Sequence, residues 1–346
     1  MPHPRSVPSA SPGSAHREAH LLATNESPYS PLPSVREAIV AAALGANRYP
    51  DPGCLRLTEA LAEHHGVPCE HIALGPGSAA VAQQLLTTVC APGDEVVYPW
   101  RSFDAYPLLT DVARAVSVRV PLKGDDHDLS AMAAAITPST RVVIVCNPNN
   151  PTGTITRRDE LAAFLGAVPE NVLVVLDEAY REYARDPEFP DGVELYRDRP
   201  NVALLRTFSK AYGLAGLRVG YLIGPAHIAT AVCGTTVPYA VSAMAQAGAL
   251  ASLAAGGELA TRTAEVVEER ARVRDTLVAL GWRVPASEAN FLWLPLAGRS
   301  GDFARACARA GVTVRCFDSE GVRVTIGAPA ANDAVLAVAA AFPPYV

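Results

Sequence analysis

The run "RTFSKAYGLAGLRVG", residues 206–220, holds one of only two lysines in a chain with 29 basic residues. Arginine supplies the remaining positive charge, so routine surface charge does not account for Lys210. Phe208 and the segment "AYGLAGL" flank it, which predicts poor solvation. Desolvation lowers a lysine's pKa and makes a nucleophilic amine available. Arginine could not stand in, because its guanidinium is too basic and too delocalised to form an imine. The alternative is a surface lysine whose stem covers apolar neighbours. Lys123, the other lysine, lacks such company and reads as a surface charge. Arg218 follows Lys210 by eight residues, beside glycines that permit close packing.

Three more segments carry chemistry-bearing residues. "LGPGSAAVAQQ", 74–84, runs from glycines straight into a helical pattern, and a helix start favours an anion. "NPNNPTGT", 147–154, is a rigid turn that can hold an asparagine toward a ligand. "DEAY", 177–180, places acids after an apolar run. Taken singly, each has a plain alternative: a strand-to-helix turn, turn chemistry alone, or helix capping by Asp177.

The elements that position them are legible. Short β-branched runs recur: "EVVYP" (95–99), "AVSVRV" (115–120), "RVVIVC" (141–146), "VLVVLD" (172–177), "VALLRT" (202–207) and "LRVGYLIG" (217–224). They are nearly apolar throughout rather than alternating, which predicts strands covered on both faces. Helical patterns at 78–90, 129–136 and 157–168 separate several of them. Strands alternating with helices predict an α/β fold with a mostly parallel sheet. After about residue 240 a long helical stretch to about 280 precedes "ANFLWLPL" (289–296), a helix near 301–310, "VTVR", "VRVTIG" and a final helix. That pattern predicts a smaller α+β domain.

In an open α/β sheet, ligands bind beyond the carboxyl ends of the strands. A phosphate cradle, an asparagine, an aspartate, a tyrosine, a lysine and an arginine all fall at successive strand ends. A cofactor with a phosphate, a phenolic oxygen, a ring nitrogen and an aldehyde needs that set, and pyridoxal 5'-phosphate is such a cofactor.

Totals bound the rest. Net charge is −6 with no basic stripe, which argues against nucleic acid as a partner. No apolar run has the length of a membrane span. The seven cysteines are scattered without a CxxC pair, so free thiols in a cytoplasmic protein are expected and no metal ligand set is assigned. Residues 1–18 are rich in Pro, Ser and His and read as a flexible arm without a signal peptide's apolar core.

The chain resembles the fold-type I pyridoxal-phosphate aminotransferases. It is most similar to the histidinol-phosphate aminotransferase family and its actinobacterial aromatic (phenylalanine) branch. The resemblance runs from about Leu21 to the C-terminus, through "NESPYSPLPSV", "NRYPD", "GPGS", "PGDEVVYPWRSFDAY", "CNPNNPTGT", "LDEAYREY", "TFSKAYGLAGLRVGY" and "VRVTIG". It implies a large cofactor-binding domain over 51–250, with a mostly parallel seven-stranded sheet between helices. It also implies a small domain over 251–346, joined by the segment 19–50.

The resemblance further implies a role for each site residue. Lys210 would bond the cofactor aldehyde and later act as general acid/base, with Asp177 on the ring nitrogen. Asn150 and Tyr180 would bond the phenolic oxygen, and Phe103 would stack on the ring where tyrosine is common. Backbone at Ser78 and Ala79, the hydroxyls of Thr207 and Ser209, and Arg218 would hold the phosphate. Tyr49 would reach the neighbouring subunit's cofactor in a homodimer with shared sites. Arg323 would grip the substrate carboxylate, and Arg315 is a second cation nearby or simply a strand arginine on a solvated face.

The expected reaction is ping-pong transfer of an amino group between an aromatic L-amino acid and a 2-oxo acid. Histidinol-phosphate transamination is the first alternative, and a related amino-acid phosphate decarboxylase the second. The "PYxPG"-like segment common before "NExP" is replaced here by Pro/Ser/His-rich sequence, which bears on substrate choice.

Overall fold

The computed structural model describes residues 20–342, so the arm expected over 1–18 lies outside the described residues. In chain order the strands are β1 (His20–Leu22), β2 (Ile72–Gly75), β3 (Glu95–Trp100), β4 (Val116–Pro121), β5 (Thr140–Cys146) and β6 (Leu173–Asp177). They continue with β7 (Val202–Thr207), β8 (Gly220–Ile223), β9 (Phe291–Leu294), β10 (Val312–Phe317) and β11 (Gly321–Thr325).

Seven strands form one sheet in the order β2-β8-β7-β6-β5-β3-β4. All neighbours are parallel except β8, which runs against both β2 and β7. Alternate residues along one strand enter different cores. Val143, Val145, Val174, Leu176, Val202 and Leu204 join one cluster. Val142, Ile144, Val175, Ala203, Leu205 and Leu222 join the cluster on the opposite face. Helices roof both faces, which is why the central strands are mostly apolar at successive positions, whereas β4, at the sheet edge, is mostly exposed or half-buried and departs from the two-sided cover expected of it.

Four strands form a second sheet, β1-β10-β11-β9, with its own core around Leu22, Trp282, Phe291, Phe303 and Val322. β1 pairs with β10 in parallel, so the start of the described chain is tied to its last third.

Two expectations are corrected. The strand expected from 217 begins at Gly220, because Ala215–Leu217 makes a 3-10 turn and Arg218 adopts φ +56°. A left-handed residue cannot continue a strand. The single helical stretch of 240–280 is two helices, Ala243–Ala254 and Gly256–Ala279, broken at Ala255. Among the described residues, no helix is long and apolar enough to cross a membrane.

Candidate active site

A cavity of about 460 Å³ opens where β5, β6 and β7 end and β11 approaches from the second sheet. Register brings the corner together: Gly220 pairs with both Thr207 and Gly75. Every site residue expected from the sequence lines this cavity except Tyr49.

One corner is built for an anion. The helix Ser78–Val89 begins after Gly77 with no side-chain cap, leaving its first N–H groups available. Arg218 Nη1 donates to Ser209 Oγ at 3.2 Å, and Ser209 N–H donates to Thr207 Oγ1 at 3.1 Å. A side chain at Gly77 would collide with the Arg218 guanidinium, and one at Gly220 with the Ser78 backbone. Gly77 also sits at φ +95°, which L side chains rarely adopt. The glycines therefore let backbone donors, two hydroxyls and a guanidinium converge on one corner of the cavity.

Asp177 closes the floor. It is buried at the end of β6, and its Oδ2 accepts from Tyr106 Oη at 2.7 Å. Ala179 N–H donates to its Oδ1 at 3.3 Å. Burial pushes the Asp177 carboxyl pKa up, and these two hydrogen bonds oppose the rise. No α-helix follows directly, only a 3-10 turn at Arg181–Tyr183 with Tyr180 at its cap, so helix capping by Asp177 is excluded.

Tyr180 Oη accepts from Asn25 Nδ2 at 3.0 Å and from Asn150 Nδ2 at 3.3 Å. Asn150 turns its Oδ1 to Arg323 Nη1, so one amide links the phenol to the guanidinium. Arg323 Nη2 also donates to the Ala23 carbonyl at 2.6 Å. Burial raises the Tyr180 pKa, while Arg323 pulls it down.

Lys210 Nζ lies 3.0 Å from the Thr24 carbonyl, to which it donates. Its pKa falls to about 8, first through burial and then through the nearby Arg323 charge. A neutral, nucleophilic amine is therefore accessible near neutral pH. The desolvation expected from its apolar neighbours is present.

Phe103 lines the cavity and meets the Tyr106 ring edge-on at 5.5 Å between centroids. Arg315 reaches the mouth and pairs with Asp104 at 2.8 Å. Tyr49 is 81% exposed and stacks on Tyr239, outside this chain's own cavity. The other lysine, Lys123, is exposed and lines a separate groove.

Tyr106, Asn25 and Asp104 were not singled out by the sequence reading. Tyr106 and Asp104 stand in "WRSFDAY" beside Phe103, and Asn25 opens "NESPY"; proximity to motif residues was the available signal.

The profile of the family described as "Aminotransferase class I and II" matches residues 18–341. The chain belongs to this family. An aromatic amino acid aminotransferase of Thermobifida fusca is 62% identical over 93% of this chain and 90% of its own length. One of Streptomyces coelicolor is 58% identical, covering 94% and 90%. The solved histidinol-phosphate aminotransferase of Sinorhizobium meliloti, in complex with pyridoxal-5'-phosphate, superposes with a TM-score of 0.86. It is 31% identical and covers 94% of this chain and 91% of that one. The fold is that of the fold-type I aminotransferases, and the chain is a transaminase.

Proposed function

We propose that this transaminase binds pyridoxal 5'-phosphate and moves an amino group from a phenylalanine- or tyrosine-type donor to a 2-oxo acid such as 2-oxoglutarate. The identity of 62% to a relative named for aromatic amino acids carries the substrate reading. The cavity supports it with an aromatic wall at Phe103 and one buried guanidinium at Arg323.

The residues fit the cofactor. The uncapped helix start at Ser78 and Ala79, with Thr207, Ser209 and Arg218, would take its phosphate. Asp177 would face the ring nitrogen, Asn150 and Tyr180 the phenolic oxygen, and Phe103 the ring face. When bound, the cofactor supplies an electrophilic aldehyde and an electron-accepting ring. Lys210 Nζ, with its pKa held down by burial and Arg323, would supply the amine for that aldehyde and would move the proton at the substrate Cα. Asp177 would set its carboxylate against the ring nitrogen, and Tyr106 fixes that side chain's direction. Arg323 orients the substrate carboxylate with its planar fork.

The full proposal is a cytoplasmic homodimer in which Tyr49 serves the opposite subunit's phosphate. An outward-facing Tyr49 that misses its own cavity supports this. Mixed dimers of Tyr49→Ala and Lys210→Ala chains should recover one intact site, and failure to regain activity would remove the shared site. A panel of amino donors against 2-oxoglutarate tests the substrate. Phenylalanine or tyrosine should give the highest kcat/KM, and a larger value for histidinol phosphate would overturn the assignment.

A further inference from the structure

Arg315 and Arg323 are directly opposed across β10 and β11. Residues opposed in an antiparallel pair share one face with Cβ atoms roughly 5 Å apart, and like charges placed so repel. Both guanidinium groups flank the Phe317 ring, at 5.5 and 5.7 Å from its centroid. Both line the active-site cavity. The pair is thus a two-cation surface that needs negative charge beside it.

The two cations are compensated differently. Arg315 Nη2 donates to Asp104 Oδ2 at 2.8 Å, and Asp104 lines the same cavity one residue after Phe103. Arg323 is 7% exposed and has no carboxylate partner among the described residues. It donates to the Asn150 side chain and the Ala23 carbonyl, and its Nε has no partner. The protein neutralises one guanidinium itself and leaves the other to a ligand.

We propose that Asp104 is a charge filter that limits this anion site to one negative charge, so that amino-acid carboxylates are selected over phosphate monoesters. The inference rests on the aromatic amino-acid reading above and names the residue that would enforce it. A carboxylate brings one negative charge, whereas a phosphate monoester brings about −1.5 to −2 at neutral pH. A phosphate spanning both arginines must displace Asp104 from Arg315 or lie against its carboxylate, and both are unfavourable. The groups sense one another. Burial has the largest influence on Arg323 and lowers its pKa, while Asp104 acts upward and Arg315 downward. The filter is graded rather than absolute, because the Asp104 and Arg315 side chains keep 36% and 52% of their exposure and water weakens the pair.

The donor half-reaction of the holoenzyme, without acceptor, reads this directly. The quantity is the ratio of kcat/KM for histidinol phosphate to that for L-phenylalanine. Asp104→Asn should raise the ratio by about tenfold, through loss of a like-charge contact. Asp104→Glu should keep it near wild type. The double variant Asp104→Asn/Arg315→Gln should lose most of the gain, because no second cation is then released. Inorganic phosphate, as a competitive inhibitor against phenylalanine, should bind more tightly to Asp104→Asn and regain its weak binding in the double variant. An unchanged ratio and unchanged phosphate inhibition in Asp104→Asn, with wild type still preferring phenylalanine, would refute the filter alone. A gain that persists in the double variant would also refute it. A wild-type preference for histidinol phosphate would instead overturn the substrate reading on which it rests.

Discussion

Two buried arginines, one on each sheet, show opposite uses of the same side chain. Arg206, on β7 of the seven-stranded sheet, is 2% exposed, and Arg323, on β11 of the four-stranded sheet, is 7% exposed. Arg206 pairs with Glu178 through Nε at 2.9 Å and Nη2 at 2.7 Å, and its Nη1 lies 3.2 Å from His65 Nδ1. Its neighbour Thr207 faces the cavity, so the clasp anchors the strand end from the opposite side. Among the described residues, the hydrogen-bond acceptors of Arg323 are an amide and a carbonyl, with no carboxylate. A buried guanidinium set against a carboxylate holds structure, whereas one without an anion beside it can take one from a ligand. In the proposed function, the first sheet would supply the cofactor corner on a rigid base, and the second the substrate grip.

Substitutions can break or sharpen that contrast. The largest effect is expected on the cofactor side: Lys210→Ala should lower turnover by on the order of 10⁴-fold, because acid/base transfer at the substrate is lost. Borohydride should then fail to attach the cofactor to the chain. Turnover at the native rate would exclude the mechanism. Arg206→Met should leave buried Glu178 with only its longer 3.7 Å contact to Arg181, at a cost of about 3 kcal/mol in a denaturant titration. Arg323→Met should differ in kind, lowering kcat/KM for phenylalanine about a hundredfold through loss of a charge-assisted bond, without comparable loss of stability. If both variants lose stability equally, the distinction between clasp and grip fails.

Smaller effects probe the coupling between the two sides. Tyr106→Phe removes a donor to Asp177 and should reduce activity by less than about tenfold. The acid limb of its pH profile should move upward, since burial then acts on Asp177 with less opposition. The Lys210 amine is protonated below its pKa and nucleophilic above it. Reconstitution of apoprotein with pyridoxal phosphate should accelerate with rising pH and level off above about 8. In Arg323→Met the plateau should move to higher pH, because a charge that lowers the Lys210 pKa is gone. A pH-independent reconstitution rate would contradict the desolvated amine.

Much of this was written in the chain. The scarcity of lysine marks Lys210, and nearly apolar strand runs announce a sheet whose central strands are covered on both faces, though not its edge strand β4. Asp177 and Thr207 were legible because each ends such a run, and Asn150 because it sits in a Pro/Gly turn just beyond one. The partners of those residues were not legible. Tyr106 meets Asp177 across 71 positions, Asn25 meets Tyr180 across 155, and Asp104 meets Arg315 across 211. Local periodicity carries no information about such separations. The start of β8 was also misread, because the apolar pattern of "LRVGYLIG" conceals the left-handed turn at Arg218 that the anion corner requires.

The sequence by itself determined the alternation of strands and helices, the groups at the strand ends and the candidate amine, because these follow from local residue chemistry. Tertiary structure decided which charges are compensated. It set Arg206 against Glu178, Arg315 against Asp104, and Arg323 against no acid among the described residues, since compensation depends on which distant side chains meet.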